Sequence, residues 1–275
     1  VLFGPFDFAG LGAAFGSELH WVPHQPPNVR RPAIRRVSEW DTVALPDPDT
    51  HPRLVFLREA VRRMASEHRG QALVAAVLPP PIDLPALVMG IGEWLETVLF
   101  DADRAKRVME KIIPFYVRLA NGLFADGAAF VASPCGFASP AIVTRKIVTT
   151  FARPVLAEAL GQMRGPVVLH HGGAPLLAHL DLLTGLPSVV AFGMDERDDL
   201  CQARQVAGTD PVLFGGPMGP RLAGLTAEQV ESECRALLED RRKDARFLLY
   251  TSGADVPWHT PPENIHALRQ AAEAF

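Results

Sequence analysis

The sequence predicts an α/β protein built from parallel βαβ units, a (β/α)8 TIM barrel in preference to an open doubly wound sheet. Three observations predict it. Short apolar runs alternate with longer stretches of helical period along nearly the whole chain. The runs are apolar throughout, as strands covered on both faces require. No Gly-x-Gly-x-x-Gly follows a strand and no Gly-x4-Gly-Lys-Ser/Thr occurs, so the phosphate-binding fingerprints of the open nucleotide folds are missing.

Taken in order, QALVAAVLPPP (71–81) reads as a buried strand stopped by proline. LPALVMGIGEWLETVLF (84–100) carries apolar residues at the three- and four-residue spacing of one helix face. Residues 101–127 form a long helix with acids at its start and Gly127 after its end. AAFVASP (128–134) is a short strand, and 139–163 gives helical turns opened by Ser-Pro and interrupted before Pro154. GPVVLHH (165–171) is the next strand, followed by a helix over 174–185 that ends at Gly185. Three more strands fall at 187–195, 210–216 and 245–253. Helices at 226–244 and 261–275 open on the cap signals Thr226 and Thr260. The stretch ELHWVPHQPPNVRRPAIRRV (18–37) breaks the alternation and reads as an extended excursion or hairpin with proline at its edges. Its Arg30, Arg31, Arg35 and Arg36 either face an anionic ligand or form a solvated surface.

The 275 residues are 48% hydrophobic, ample for one domain over 1–275. The net charge of −4 lacks the basic footprint of a nucleic-acid binder. No apolar run reaches the length that spans a bilayer. Three separated cysteines, Cys135, Cys201 and Cys234, form no Cys-x-x-Cys, so a reducing cytoplasm is the expected setting.

In a parallel barrel the working residues stand where strands end and βα loops begin. That rule selects Asp7, Pro79 to Asp83, Ser133 and Cys135, His170 and His171, Asp195 and Glu196, and Ser252 to Asp255. If the strand runs through both histidines, strand alternation turns one inward and the other toward the helices. From residue chemistry alone, the pair is either a metal-ligand source or a hydrogen-bonded structural or substrate-contacting element. Cys135 reads as a ligand, a nucleophile or a small packing residue. Trp258, before the last helix, is the tryptophan most open to ligand contact.

Six stretches, in order, resemble one family: PFDFAGLGAAFGSEL (5–19), VLPPPIDLPALVMGIGEWL (77–95), GAAFVASPCGFASPAIVT (127–144), VVLHHGGAPLLAHLDLLTG (167–185), FGMDERDDL (192–200) and DVPWHTPPENIHALRQAAE (255–273). They resemble the uroporphyrinogen decarboxylase superfamily, and most closely its corrinoid-dependent branch, the methylcobamide:coenzyme M type methyltransferases. The resemblance implies a (β/α)8 barrel whose opening strand segment would precede Val1.

It also implies a methyl transfer between a corrinoid (cobalamin), free or on a partner corrinoid protein, and a small-molecule acceptor. Asp7, His170 and Glu196 become the catalytic candidates. His171, Ser133, Cys135, Asp255 and Trp258 become the substrate-binding ones. In that branch zinc is held by a His-x-Cys, an acid after the next strand and a final Cys. His170 matches the histidine, and Glu196 or Asp195 the acid, but Gly172 stands at the first cysteine position and the second lies near Ala254. The resemblance therefore implies at most a harder N/O zinc site on His170 and Glu196. Tetrapyrrole decarboxylation, with Asp7 holding the pyrrole nitrogens, and a non-catalytic corrinoid- or partner-binding relative are the alternatives.

Overall fold

The computed structural model describes residues 1–253 and 256–275. Strand β1 (Leu2–Phe3) leads into helix α1 (Phe8–Ala14), and β2 (Glu18–His20) pairs antiparallel with β3 (Asn28–Arg31). The 18–37 stretch is thus a hairpin rising from the first βα loop. A 3-10 turn over Val37–Thr42 and helix α2 (Pro52–Glu67) precede β4 (Val74–Val77).

Helices α3 (Leu84–Met89) and α4 (Ile91–Phe100) replace the single helix expected over 84–100. The apolar period runs through both, but Gly90 takes a φ of 88° and breaks the hydrogen-bond ladder between them. Helix α5 (Ala102–Ala125) is the long helix; the Asp101 side chain accepts from Arg104 N, and Gly127 lies just past its end with a φ of 106°.

Strand β5 (Phe130–Pro134) follows. Helix α6 (Arg145–Ile147) passes through a π-helical turn (Val148–Ala152) into α7 (Arg153–Leu160), which places Pro154 in a first helical turn. The run is continuous helical backbone, and the missing N–H of Pro154 coincides with the π-helical irregularity just before it. The remaining units are β6 (Val167–His170), α8 (Leu177–Leu183), β7 (Val189–Gly193), α9 (Leu200–Ala207), β8 (Val212–Gly215), α10 (Ala227–Arg241), β9 (Phe247–Leu249) and α11 (Pro262–Glu273). Thr226 caps α10 through a capping box with Gln229. Thr260 does not cap α11: Pro261 holds that position, and the Thr260 hydroxyl is buried with no hydrogen-bond partner among the described residues.

Among the described residues, seven strands form one parallel, curled sheet of the (β/α)8 type in the order β1-β4-β5-β6-β7-β8-β9. Its register defines two faces, because residues paired across neighbouring parallel strands point the same way. Ser133, Leu169, Phe192, Leu213 and Phe247 form one row, and its four apolar members pack into the main hydrophobic cluster against the helices. Pro134, His170, Gly193, Phe214 and Leu248 form the adjacent row on the opposite, lumenal face. His170 thereby occupies the last lumenal position of β6. Trp94, fully buried, ties the β4 loop to α4 by donating from Nε1 to Ile82 O at 2.8 Å.

Candidate functional site

The lumenal row leads to a polar corner at the carboxyl ends of β6, β7 and β9. Gly193, opposite His170, leaves room for the imidazole: a Cβ there would stand 2.7 Å from the His170 Cδ2 and 3.3 Å from the Tyr250 hydroxyl. Tyr250 follows β9, two residues beyond the lumenal Leu248, and so returns to the lumenal side. Its hydroxyl donates to Met194 O at 2.7 Å and lies 3.4 Å from His170 Nε2. With its proton given to Met194, the phenol oxygen accepts from His170, so Nε2 carries the imidazole proton. The other nitrogen, Nδ1, accepts from Gly172 N at 3.2 Å. Burial, and then the neighbouring His171, lower the His170 pKa to about 3, against a smaller opposing pull from Asp195. The ring is a neutral imidazole at physiological pH. Burial raises the Tyr250 phenol, which stays protonated.

His171 does not diverge from His170 as strand alternation predicts. Strand β6 ends at His170, the backbone turns through Gly172 and Gly173 with φ of 66° and 97°, and the two ring centroids are 4.1 Å apart. The His171 side chain is fully buried, as is that of Asp195, and Nδ1 lies 3.3 Å from Asp195 Oδ2. Nε2 faces Gly253 N at 3.2 Å and the Ser252 hydroxyl at 3.3 Å. Nδ1 also stands 3.0 Å from Gly173 N, so the ring is held between backbone amides at its two nitrogens with the Asp195 carboxylate beside it. Burial holds His171 below the usual histidine range.

Burial raises Asp195, but the side-chain and backbone hydrogen bonds of Arg197 outweigh it and hold the carboxyl below its ordinary value. Arg197 Nε reaches Oδ1 at 2.6 Å and Arg197 Nη2 reaches Oδ2 at 2.9 Å. Asp198 completes the support by accepting from Leu176 N, Leu177 N and Asp195 N at 3.0–3.1 Å.

The other sequence candidates fall in different places. Asp7 is the N-cap of α1, accepting from Gly10 N at 2.8 Å. Glu196 accepts from Met218 N at 2.9 Å and from Arg221 at 2.6 Å, and Arg221 also pairs with Glu233. Among the described residues no hydrogen bond or ion pair joins Asp7, His170 and Glu196 to one another. Ser133 faces the helices and is 1% exposed, and Cys135 is fully buried with its thiol pushed up by burial and by Asp83. Neither side chain is open to the mouth: the parity of β5 sends Ser133 outward, and Cys135 packs beneath the loop. Trp258 is 84% exposed and stacks on His24 at the hairpin tip, with centroids 5.5 Å apart. Asp255 lies outside the described residues.

The residues present do not fit the zinc site expected on His170 and Glu196. Both His170 nitrogens and the Glu196 carboxylate are engaged within the protein, and among the described residues no group of three or more His, Cys, Asp or Glu is placed to hold a metal. The corner offers instead an uncharged imidazole–phenol pair backed by a buried His–Asp pair. Sequence reasoning missed Tyr250 and the buried pairing of His171 with Asp195. The signal for Tyr250 was there in FLLYTS, whose period of two puts Leu248 and Tyr250 on one face.

Comparison with known proteins places these features in context. The family model "Uroporphyrinogen decarboxylase (URO-D)" matches residues 1–275. Comparison with curated protein sequences gives no significant match. Among solved structures, a methyltransferase from Methanosarcina mazei is similar with a TM-score of 0.88 at 18% identity, covering 99% of this chain and 80% of that one. A putative vitamin-B12 independent methionine synthase from Listeria monocytogenes is similar with a TM-score of 0.57 at 13% identity, covering 82% of this chain and 70% of that one. At these identities the likeness is one of fold. No helix among the described residues is long and apolar enough to cross a membrane.

Proposed function

We propose that this chain, which belongs to the uroporphyrinogen decarboxylase family over residues 1–275, is an enzyme that moves a methyl group between a corrinoid and a small-molecule acceptor. The observation that carries the reading is the fold likeness to the Methanosarcina mazei methyltransferase along 99% of the chain. The methionine synthase likeness is also to a protein whose name denotes methyl transfer, but one independent of vitamin B12, so it bears on the methyl group and not on the corrinoid.

In this reading the corrinoid is a substrate, free or carried by a partner corrinoid protein, and it enters at the carboxyl ends of the strands. His170 and Tyr250 meet the acceptor as neutral hydrogen-bonding groups. Asp7, after β1, and Glu196, after β7, stand on other loops of the same rim, and Trp258 offers an exposed aromatic face to a flat ligand. With no zinc thiolate chemistry derived from this corner, the acceptor is one whose nucleophilic atom is activated by hydrogen bonding. When methyl leaves methylcobalamin as a cation equivalent, both electrons of the cobalt–carbon bond stay on cobalt and the acceptor's proton passes to solvent.

The test is spectroscopic. The purified chain is mixed anaerobically with methylcobalamin and a panel of thiol, amine and carbanion acceptors, and loss of the methylcobalamin visible band is followed. The expected result is acceptor-dependent loss that falls at least tenfold in His170→Ala. Failure with every acceptor, together with carbon dioxide release from a porphyrinogen, would replace methyl transfer with decarboxylation.

A further inference from the structure

We infer that the β6–β7–β9 corner of this chain is a metal-independent site, in which the buried His171 ring, packed beside the Asp195 carboxylate, takes over the work of fixing the neighbouring His170. The inference rests on the proposed function only in treating His170 as part of the site. It is carried by four observations.

The first is the state of His170. A metal ligand presents an imidazole nitrogen with a bare lone pair. The Tyr250 hydroxyl, committed to Met194 O, assigns the proton to Nε2, and the Nδ1 lone pair is covered by Gly172 N at 3.2 Å. The second is Gly172 itself. Its φ is 66°, and a Cβ built there would stand 3.0 Å from Cys135 O and 3.2 Å from Cys135 C. The turn is packed against a neighbouring peptide where a thiolate-bearing side chain would begin, so the lack of a cysteine is built into the backbone.

The third is the occupation of both acids. Asp195 carries Arg197 and His171, and Glu196 carries Arg221 and Met218 N. A cation entering here would have to displace a guanidinium from either one. The fourth is the reach of His171. Its two nitrogens face Asp195 at the end of β7 and Gly253 N after β9, while its ring lies against His170 with centroids 4.1 Å apart. A single buried ring thus ties three strand ends together and forms one wall of the His170 seat. A coordinated metal fixes its ligand histidine by a bond; here packing and a buried carboxylate serve that end.

The inference is tested without any assay of methyl transfer. The full chain is produced in zinc-supplemented medium, dialysed, analysed for metal and titrated calorimetrically with zinc chloride. Long-range proton–nitrogen spectra of the imidazoles are recorded for wild type, Asp195→Asn, Asp195→Glu and His170→Ala. The expected outcome is less than a tenth of an equivalent of retained zinc and no saturable zinc binding that depends on His170. The spectra should show an Nε2–H tautomer for His170. Asp195→Asn should move the His170 nitrogen shifts as well as those of His171, and Asp195→Glu should restore them in part.

One equivalent of zinc that disappears in His170→Ala would overturn metal independence. His170 signals unchanged in a folded Asp195→Asn would overturn the positioning role. Should Asp195→Asn fail to fold, Ser252→Ala, which removes a hydroxyl 3.3 Å from His171 Nε2, supplies the same comparison. Because the readouts are metal content and imidazole spectra, they stand or fall separately from the search for a methyl acceptor.

Discussion

The hydroxyl of Tyr250 and Nε2 of His170 stand 3.4 Å apart on the lumenal side of the sheet, joined from strand ends that are 80 residues apart in the chain. The contact exists because His170 ends β6 on the lumenal face and Tyr250 follows β9 on that same face, with β7 and β8 between the two strands, and because the Tyr250 proton is already given to Met194 O. Tyr250→Phe removes both bonds while keeping the ring. It should cost about 1 kcal/mol of stability, the usual net value of a hydrogen bond. It should lower methyl transfer roughly tenfold, about 1.4 kcal/mol of barrier, by freeing the His170 ring to rotate. Denaturant unfolding and the methylcobalamin assay check the two halves. A variant with wild-type rate would remove Tyr250 from the site.

Gly193 gives a sharper steric test of the same seat. A methyl group there would sit 2.7 Å from the His170 ring, well inside contact distance. Gly193→Ala should therefore push the imidazole off its position and cost about 1–3 kcal/mol through overpacking. Its backbone φ is not in the left-handed region, so the cost falls on the histidine and not on the chain conformation. The expected signature is a shifted His170 spectrum with β-sheet content unchanged. An undisturbed imidazole would mean that the ring has a second place to go.

How much of this was legible in the sequence follows from the range of the interactions. The strand ends were readable because apolar runs stop at polar or small residues, as VVLHHGG and FVASPC do. His170 as a lumenal residue followed from the same rule. The pairing of His171 with Asp195 was not readable, since alternation holds only while the strand lasts and β6 stops one residue earlier. Nor was the engagement of Glu196 by Arg221, which depends on the path of the loop after β8. The break at Gly90 was visible as a glycine, but a helix often runs through a glycine, and only the packed structure shows the left-handed φ that prevents it here. The substitution of Pro261 for Thr260 as the α11 cap is a one-residue shift of the kind that local cap signals do not fix.

Asp83 predicts a pH dependence of stability away from the corner. Its carboxylate accepts from Gly136 N at 2.6 Å and Phe137 N at 2.9 Å, locking the β4 loop to the β5 loop. Burial raises its pKa from 3.8 to about 7, outweighing the two amide hydrogen bonds that favour the anion. Between pH 4 and 7 the folded state then holds a proton that the unfolded chain has released, so stability falls as pH rises through that window. The slope approaches about 1.4 kcal/mol per pH unit for one proton. Asp83→Asn carries no such proton. The stability difference between wild type and Asp83→Asn, followed by urea unfolding from pH 4.5 to 8, should drift against wild type with rising pH. A flat difference would show that the folded carboxyl titrates in the ordinary range.

Asp195 and Arg197 allow magnitudes to decide which member of an ion pair matters. The Asp195 side chain is 0% exposed and that of Arg197 54%. Truncating Arg197 to Ala leaves Asp195 with His171 and a backbone donor from residue 197, and the lost pair is half in solvent, so the cost should be small. Truncating Asp195 to Ala removes a fully buried carboxylate that accepts from the Arg197 backbone and lies beside His171, and the exposed guanidinium simply turns to water. Losing a buried acceptor and leaving its volume vacant costs about 1–3 kcal/mol. Asp195→Ala should therefore destabilise the fold clearly more than Arg197→Ala. Thermal unfolding of the two variants measures the order directly. Equal costs for Asp195→Ala and Arg197→Ala would place the energy in the exposed ion pair and not in the buried His171–Asp195 contact.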